Sequence, residues 1–428
     1  MRILLLAYNY PPLASPQAIR WYYLTRELAR QGASVHVLVP DLPGSPCTSL
    51  PVPEGVVVHR CDAGGLAAWF ARRRKAATPG TDDARVRGRQ TQALRLNWKG
   101  RLYRLLDRLI SLYCYPDSRG QWRHPAQSAL DRLLDELAPD VLISSHEPPA
   151  PLQLGLAVAA RVPVWLADLG DPVLAPYTPG RWRRRAFRLE RQVCRRATAL
   201  SVTTERTRQL LIQRHGIDPS RVQVLTQGFD DTLPTTVSAV VPRSPDSPLH
   251  LLYAGRFYPF RSPAPLLEAV CAVPGIRLTI AAPEVDPKYL AMAARSGGRI
   301  AFLGEQPHDV VLRMQLECDV LVNIGNALEA QIPGKLYEYL GSGKPILHLA
   351  STGDDPVVPL LAEWGVGWSC ANTAEAIGGL LASMPDAFPS LQAQLRLGKE
   401  QARAFGWSSL AAGLLQRCHQ LLQAARGG

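Results

Sequence analysis

The fold is decided by the stretch at residues 331–347, which reads QIPGKLYEYLGSGKPIL. It predicts a short helix that begins at Pro333, a stop at Gly341 and Gly343, and a buried strand over residues 346–349. Proline suits the first helical position because a helix leaves the N–H group there without a partner. The stretch therefore predicts a helix that runs directly into a buried strand.

The start of this helix also has the chemistry to bind a nucleotide. The N–H groups of Gly334 and Lys335 have no partner within the helix and carry the positive end of its dipole. Glycine lets an anion approach the backbone closely, and Glu338 lies one turn further along the same face. The helix tip could bind a phosphate while the Glu338 carboxylate binds a neighbouring diol. A nucleotide carries both of these groups. The alternative is an ordinary capped helix packed beside a strand.

The same residues resemble the donor-binding signature of retaining family-4 glycosyltransferases with the GT-B fold. The matching pattern is P-x-K-x-x-E-Y-L-x-x-G-K-P over residues 333–345. The resemblance implies an α/β protein of two Rossmann-like domains, each a doubly wound parallel sheet, facing a cleft. It also implies that the helix tip receives the donor diphosphate and that Glu338 binds the ribose.

Composition fits a protein of this class. The 428 residues are enough for two or three domains, and 46% apolar with 20% charged residues is typical of soluble globular proteins. The eight cysteines are scattered, without the spacing of a metal site, which favours reduced thiols in the cytoplasm. The apolar run at the N-terminus is too short for a signal peptide. We therefore expect a cytoplasmic protein with no metal.

The formal net charge of +12 is concentrated in two segments of the N-terminal half. Residues 72–108 carry a local charge of +9 and residues 181–196 a local charge of +7. Such segments suit anionic partners, including phospholipid and lipid diphosphate. Residues 98–112 also predict a basic amphipathic helix, which either lies on the inner face of the plasma membrane or packs on its own domain. Aromatic residues are sparse there, so we expect no nucleic-acid partner.

Hydrophobic patterning predicts two domains. An opening strand, helix and strand over residues 2–39 indicate a first parallel sheet. A second series of alternating strands and helices begins at residue 249. We predict an acceptor-side domain at 1–230 with a basic insertion at about 63–113, and a proline-rich linker at 231–248. A donor-binding domain follows at 249–405, and a final helix at 406–428 is expected to cross back to the first domain.

Polar residues follow the predicted strands of the first domain, where ligands of such sheets bind. Ser15 and Gln17 lie in the loop after the first strand and could bind the acceptor. His146, Asp168 and Asp171 follow two later strands, where a general base or an orienting carboxylate would be needed. The alternatives are a rigid turn, loop capping by the aspartates and a hydrogen-bonded structural histidine.

In the second domain, the loop after the strand at 249–254 begins Gly255-Arg256 and continues to Arg261. It resembles the family's G-R-x-x-x-x-K-G element, with Arg261 in the lysine's place. An arginine fork suits phosphate at least as well as lysine does. We expect both arginines to act in catalysis, or alternatively to form surface ion pairs. The predicted donor site comprises Gly255, Arg256, Arg261, Pro333, Gly334, Lys335 and Glu338.

One departure from the family pattern concerns the donor sugar. The family often carries glutamates spaced E-x7-E, and the position eight residues before Glu338 is Ala330. Glu329 and Gln331 flank it and are the candidates for contact with the sugar. No D-x-D pair is present, so we expect protein cations to take the place of a divalent metal.

The resemblance implies a glycosyltransferase that moves a sugar from an NDP-sugar to a hydroxyl acceptor, with retention and without a cofactor. The pathways expected are cell-surface glycan, polysaccharide or glycolipid biosynthesis. The acceptor stays open between a glycan, a lipid-linked acceptor and a small molecule. Two alternatives remain: a nucleotide-sugar epimerase on the same fold, and a non-catalytic binding subunit.

Overall fold

The computed structural model describes residues 1–13, 15–42, 50–65, 110, 113–232, 247–258, 261–325, 332–397 and 402–427. The chain forms two compact units. The first comprises Met1–Leu225 with Gly413–Gly428, and the second comprises Thr226–Ala412. Most of the predicted linker, of the predicted basic insertion and of the helix predicted at 98–112 lies outside the described residues.

The first unit is built on seven parallel strands in the order β3-β2-β1-β4-β5-β6-β7. The central strands are runs of apolar residues that are buried on both faces, as expected when helices cover a parallel sheet. The strands are β1 (Arg2–Leu6), β2 (Ser34–Asp41), β3 (Val56–Asp62), β4 (Val141–His146), β5 (Val164–Leu169), β6 (Ala199–Val202) and β7 (Val222–Val224).

Five described helices connect these strands. Ser15 caps the first of them by accepting a hydrogen bond from the Ala18 N–H, and Pro16 occupies its first turn. The core beneath includes Trp122 and Trp165, which are both almost fully buried. The helices are α1 (Pro16–Arg30), α2 (Arg123–Leu137), α3 (Ala150–Val158), α4 (Arg183–Arg196) and α5 (Glu205–His215).

The second unit contains six parallel strands in the order β10-β9-β8-β11-β12-β13. The order reverses between β8 and β11, and the crevice at the carboxyl ends of such a pair is where open α/β sheets bind ligands. The strands are β8 (Leu249–Ala254), β9 (Ile276–Ala281), β10 (Ile300–Phe302), β11 (Val320–Ile324), β12 (Ile346–Ala350) and β13 (Gly367–Ala371).

Helices cover both faces of this second sheet. Leu251 and Tyr253 of β8 belong to one apolar cluster, whereas Leu252 between them belongs to another. The helices are α6 (Ala264–Ala272), α7 (Pro287–Ala294), α8 (His308–Glu317), α9 (Lys335–Ser342), α10 (Val357–Trp364), α11 (Ala374–Leu397) and α12 (Trp407–Gly427). The two Rossmann-like parallel sheets confirm the fold class predicted from the sequence.

The predicted ends of three elements were wrong, and each concerns a residue singled out from the sequence. β4 and β5 are longer than predicted, so His146 and Asp168 lie inside strands instead of the loops after them. Gly341 lies inside α9, and Gly343, with a φ of 68°, ends that helix alone. Sequence patterns assign polar residues and glycine to loops, because the packing that keeps them inside a strand or a helix cannot be seen in the sequence.

The last helix, α12, contributes its first residues to the second unit and the remainder to the first. Among the described residues, no helix combines the length and the apolar character needed to cross a bilayer.

Candidate functional site

The candidate donor site in the second unit is organised by the start of α9. Gly334 is the N-cap, so Pro333 precedes the helix instead of occupying the predicted first helical position. The Pro333 carbonyl accepts a hydrogen bond from the Leu336 N–H at 3.0 Å, and the Gly334 carbonyl accepts one from Tyr337 at 3.1 Å. Among the described residues, nothing accepts a hydrogen bond from the N–H groups of Gly334 and Lys335. The helix tip can therefore receive an anion.

The Lys335 side chain joins this helix to the carboxyl end of β8. Its Nζ donates to the Ala254 carbonyl at 3.3 Å and lies 4.1 Å from the centroid of the Tyr253 ring. A Cβ on Gly255 would lie 3.4 Å from that Nζ, and the φ of Gly255 is +145°, so glycine suits both the backbone and the contact. The structure thus brings together Gly255 and Lys335, which lie 80 positions apart in the sequence.

Positive charge accumulates beside Lys335. Arg261 is only 8% exposed, and its guanidinium lies 5.5 Å from the Tyr258 ring. Burial, and secondly Arg261, hold the pKa of Lys335 well below its ordinary value, with Glu338 acting in the opposite direction. Burial also raises the pKa of Tyr253 to about 12, and Arg261 opposes this shift. Two cations that repel each other in a half-buried site favour binding of an anion.

Glu338 lies one turn into α9, as the sequence predicts. Burial raises the pKa of its carboxyl group, and three neighbours oppose this shift: His308, a hydrogen bond from the Gln315 side chain, and Lys335. His308 and Gln315 belong to α8 and were not singled out from the sequence. Only the packing of α8 against α9 brings these residues to Glu338.

Arg256 and the two candidates for contact with the donor sugar complete the predicted donor site. The Arg256 carbonyl accepts a hydrogen bond from the Tyr253 hydroxyl at 3.2 Å, which anchors the loop after β8, and the Arg256 side chain is exposed. Glu329 and Gln331, the candidates for contact with the donor sugar, lie outside the described residues.

In the first unit, Gln17 ties α1 to the end of β4. Its Nε2 donates to the Ser145 hydroxyl at 2.7 Å and to the His146 carbonyl at 2.9 Å, and Trp21 Nε1 donates to the same hydroxyl at 2.6 Å. The Ser15 hydroxyl caps α1. Ser15 and Gln17 therefore both have structural hydrogen bonds at the start of α1, and Gln17 lies inside this helix instead of in the predicted loop.

His146 and Asp171 meet near an exposed tyrosine. His146 Nδ1 lies 3.0 Å from the Asp171 carbonyl oxygen. The Tyr177 hydroxyl lies 3.4 Å from Glu147 Oε1 and 3.5 Å from Asp171 Oδ2, and burial and then the two carboxylates raise the pKa of Tyr177. Glu147 and Tyr177 were missed as candidates, although Glu147 directly follows His146 in the sequence.

Asp168 is fully buried and both its oxygens have partners. Arg20 NH1 donates to Oδ2 at 2.7 Å, and the Ser201 hydroxyl donates to Oδ1 at 2.8 Å. Arg20 also donates to the Leu225 carbonyl at 2.9 Å. A carboxylate held in this way is suited to fix α1 and β6 to β5, and its geometry favours that structural task over proton transfer.

A cavity of about 400 Å³ opens in the first unit. The basic side chains that line it are those of Arg123, His124 and Arg185. The Arg185 guanidinium lies 4.8 Å from the ring centroid of Tyr115, another lining residue. Since no carboxylate is present among the described lining residues, the cavity suits an anionic ligand. Arg185 is part of the arginine-rich segment noted in the sequence.

No group of three or more histidine, cysteine, aspartate or glutamate side chains within the described ranges is arranged to hold a metal ion.

A family model matches part of the chain. Residues 77–233 match Glycosyltransferase Family 4. The D-inositol 3-phosphate glycosyltransferase of Corynebacterium glutamicum (strain R) is 28% identical over 258 residues, which cover 53% of this chain and 58% of the relative. The enzyme of that name from Mycolicibacterium smegmatis is 27% identical over 244 residues, with 53% and 54% coverage. The chain therefore spans about half the length of these curated relatives.

Solved structures share the fold over nearly the whole chain. The structure of Anabaena Alr3699/HepE in complex with UDP has a TM-score of 0.66 at 13% identity, covering 98% of this chain and 100% of that chain. WaaG, a glycosyltransferase involved in lipopolysaccharide biosynthesis, has a TM-score of 0.58 at 15% identity, with full coverage of both chains. A putative UDP-N-acetylglucosamine 2-epimerase from Listeria monocytogenes has a TM-score of 0.54 at 13% identity, covering 97% and 94%.

At these identities the structural likeness establishes the fold alone. The match at residues 77–233 makes this part of the chain similar to the family-4 glycosyltransferases, and the chain has the GT-B fold.

Proposed function

We propose that the protein transfers a sugar from a nucleoside diphosphate sugar, bound by the second unit, to a hydroxyl group of an acceptor. One observation carries this proposal: Arg261, Lys335 and the N–H groups at the tip of α9, which have no acceptor among the described residues, share a half-buried site with Glu338. The cations and N–H groups suit a diphosphate, and the carboxylate suits the ribose diol.

The chemical task of this site is to stabilise the leaving group. As the bond between sugar and diphosphate breaks through an oxocarbenium-like state, negative charge develops on the β-phosphate. Arg256, Arg261 and the N–H groups of Gly334 and Lys335 would stabilise that charge by donating hydrogen bonds to it. We extend the proposal to retention of the anomeric configuration, as the family resemblance implies, and to transfer without a metal ion.

UDP is the first nucleotide to test, because the structural neighbour Alr3699/HepE was solved with UDP and with UDP and glucose. For the acceptor, the curated relatives are named for D-inositol 3-phosphate. The basic cavity beside Arg123 and Arg185 supports an acceptor of related chemistry, a polyol that carries a phosphate. The proposal also includes a role in cell-surface glycan, polysaccharide or glycolipid biosynthesis and a location at the inner face of the plasma membrane.

The first experiment is a thermal-shift panel of UDP-, GDP-, ADP- and CDP-sugars. A ligand that binds only the native state raises the melting temperature by mass action, so we expect one base to stabilise the protein. Glu338→Ala should remove most of that shift, while Glu268→Ala, an exposed glutamate on α6, should retain it. The donor that binds is then incubated with phosphorylated polyols, and release of nucleoside diphosphate with a new glycoside is measured. Failure of all nucleotides to shift the folded protein would contradict the proposal.

A nucleotide-sugar epimerase is the second candidate, because the putative Listeria 2-epimerase shares the fold. It predicts turnover of the sugar nucleotide in the absence of any acceptor. A chromatographic assay of the same incubations without acceptor separates the two activities.

A further inference from the structure

Lys335 needs a positive charge to bind a diphosphate, and its half-buried position disfavours that charge. Its Nζ donates a hydrogen bond to the Ala254 carbonyl at 3.3 Å. Within the described part of the chain, no carboxylate forms an ion pair with it. A carboxylate in contact with the ammonium group would also repel the phosphates of a ligand. The site therefore needs a group that stabilises the ammonium and carries no net charge.

The ring of Tyr253 is a group of this kind. Tyr253 lies next to the last residue of β8 and is fully buried. The Lys335 Nζ lies 4.1 Å from the centroid of this ring, which is within the range of a cation–π contact. The face of an aromatic ring is negative because of its quadrupole, and the contact is strongest where water is excluded. The ring can thus hold the ammonium in place without neutralising it.

The hydroxyl of the same tyrosine holds the loop after β8. It donates a hydrogen bond to the Arg256 carbonyl at 3.2 Å. Phe257, the next residue of that loop, stacks on the Tyr253 ring, with the centroids 4.9 Å apart and the planes 10° from parallel. A buried hydroxyl is costly unless it finds a partner, so packing alone would be served as well by an apolar residue. Tyr253 thus connects Lys335 of α9 with the loop that carries Arg256.

We propose that Tyr253 is a positioning residue of the donor site, which directs the Lys335 ammonium group and the Arg256 loop towards the same diphosphate. This inference rests on the proposed function, since it assigns Tyr253 a task at the same site. Tyr253 acts through Lys335 and Arg256 and not through a contact with the ligand.

Two substitutions separate the task of the hydroxyl from that of the ring. Tyr253→Phe removes only the hydroxyl, and we expect it to bind UDP about threefold more weakly because the loop loses one hydrogen bond. Tyr253→Leu also removes the ring, and we expect a further loss of about tenfold, the size of a desolvated cation–π contact. Affinities are measured by calorimetry on the full chain, and GDP or ADP replaces UDP if the panel above selects another base. The melting temperature of each unliganded variant reports any loss of packing.

A third variant changes the charge on the face of the ring and keeps its shape. Pentafluorophenylalanine, introduced in place of Tyr253 by suppression of a stop codon, packs like phenylalanine, but the face of its ring is positive instead of negative. We expect it to bind UDP about tenfold more weakly than Tyr253→Phe. Phe388 is a buried residue of α11, and no described cation lies over its ring. The same amino acid in place of Phe388 should therefore leave UDP binding unchanged.

The pH dependence of binding gives a second readout, which a purely structural role of Tyr253 would not change. A ring with a positive face disfavours the charged form of Lys335 and lowers its pKa. The fluorinated variant should therefore lose its affinity for UDP at a lower pH, on the alkaline side, than Tyr253→Phe does. Arg261 and Glu338 are the charged groups that act on Lys335, from the loop after β8 and from α9, and both are unchanged in the variants.

The outcomes separate this inference from the proposed function. If UDP binding depends on Glu338 but the fluorinated variant matches Tyr253→Phe in affinity and in pH profile, the positioning role is wrong and the donor site stands. If Tyr253→Leu does not fold, the comparison of these two aromatic variants decides alone. If Tyr253→Leu folds and binds UDP as the natural protein does, Tyr253 only packs in the core, which also overturns the proposal. If no nucleotide binds the natural protein, the proposed function and this inference are both wrong.

Discussion

Lys335 shows how one side chain links the energetics of the fold to ligand binding. Its ammonium group is half-buried near Arg261, so its pKa lies well below the ordinary value for lysine of about 10.4. An anion beside it would favour the charged form and raise the pKa. Lysine at this position is therefore sensitive to the presence of a diphosphate in a way that an exposed lysine is not.

We predict that UDP binding is coupled to proton uptake by Lys335. The last pKa of the phosphates is about 6, so they are fully ionised above neutral pH. A fall in affinity between pH ~7 and ~10 would therefore come from loss of a proton by the protein and not by UDP. Lys335→Arg should flatten this pH dependence because arginine keeps its charge throughout. Calorimetry in buffers of different ionisation enthalpy measures the protons taken up. Lys288→Arg, at an exposed lysine, should behave like the natural protein, and an unchanged slope in Lys335→Arg would contradict the assignment.

Asp168, in contrast, forms a structural ion pair that the sequence did not predict. From the sequence it was a candidate base, and it is found in a fully buried ion pair with Arg20. Those two residues are 148 positions apart, and so no local pattern could have paired them. Removal of one partner from such a pair leaves an uncompensated charge and typically costs about 3–5 kcal/mol.

At the scale of the element, α9 carries the donor site and depends on one close contact. Gly341 lies inside this helix, and a Cβ there would be 2.2 Å from Cγ of Phe229. Phe229 is held in place by backbone hydrogen bonds with Phe405 and Trp407, at 3.1 and 3.0 Å. Phe229 is also only 9% exposed, so its ring has little space to move away from the helix.

We predict that Gly341→Ala destabilises the second unit by about 1–3 kcal/mol, because overpacking outweighs the better helix propensity of alanine. A displaced α9 would also bind UDP more weakly, since Gly334, Lys335 and Glu338 move with it. Thermal unfolding and calorimetry measure the two effects. Gly378→Ala is the matched control on α11, where a Cβ meets nothing within 4 Å, and it should be neutral or stabilising. Similar behaviour of the two variants would show that the Phe229 contact does not restrain α9.

The elements also show what the sequence could and could not predict. The motif around Glu338 was predictable because helix caps, glycine stops and apolar runs act within a few residues. The ends of β4 and β5 were misplaced because His146 and Asp168 are polar residues that tertiary partners keep inside the sheet. Gln17 with Ser145, and Gln315 with Glu338, join separate elements, so their pairing depends on a topology that local patterns do not specify.

At the scale of the whole molecule, charge is distributed unevenly. The net charge is +12, and residues 72–108 and 181–196 together exceed it, so the remainder of the chain is slightly negative. The second of these segments is largely α4, whose apolar residues face the core while its arginines are exposed. Among the described residues, no carboxylate forms an ion pair with Arg183, Arg184 or Arg188. A surface of this kind attracts anionic lipid.

We predict that the protein binds vesicles of phosphatidylcholine with phosphatidylglycerol at low salt and is released as salt rises, because screening shortens the range of the attraction. Arg183, Arg184 and Arg188 changed together to glutamine should weaken binding, since each basic residue near such a surface contributes about 1 kcal/mol. Arg277, Arg295 and Arg313 changed together remove the same charge from the second unit and should have a smaller effect. Co-sedimentation at two salt concentrations measures both. Equal losses from the two triple variants would show that net charge alone governs binding, and no binding at low salt would contradict a membrane role for α4.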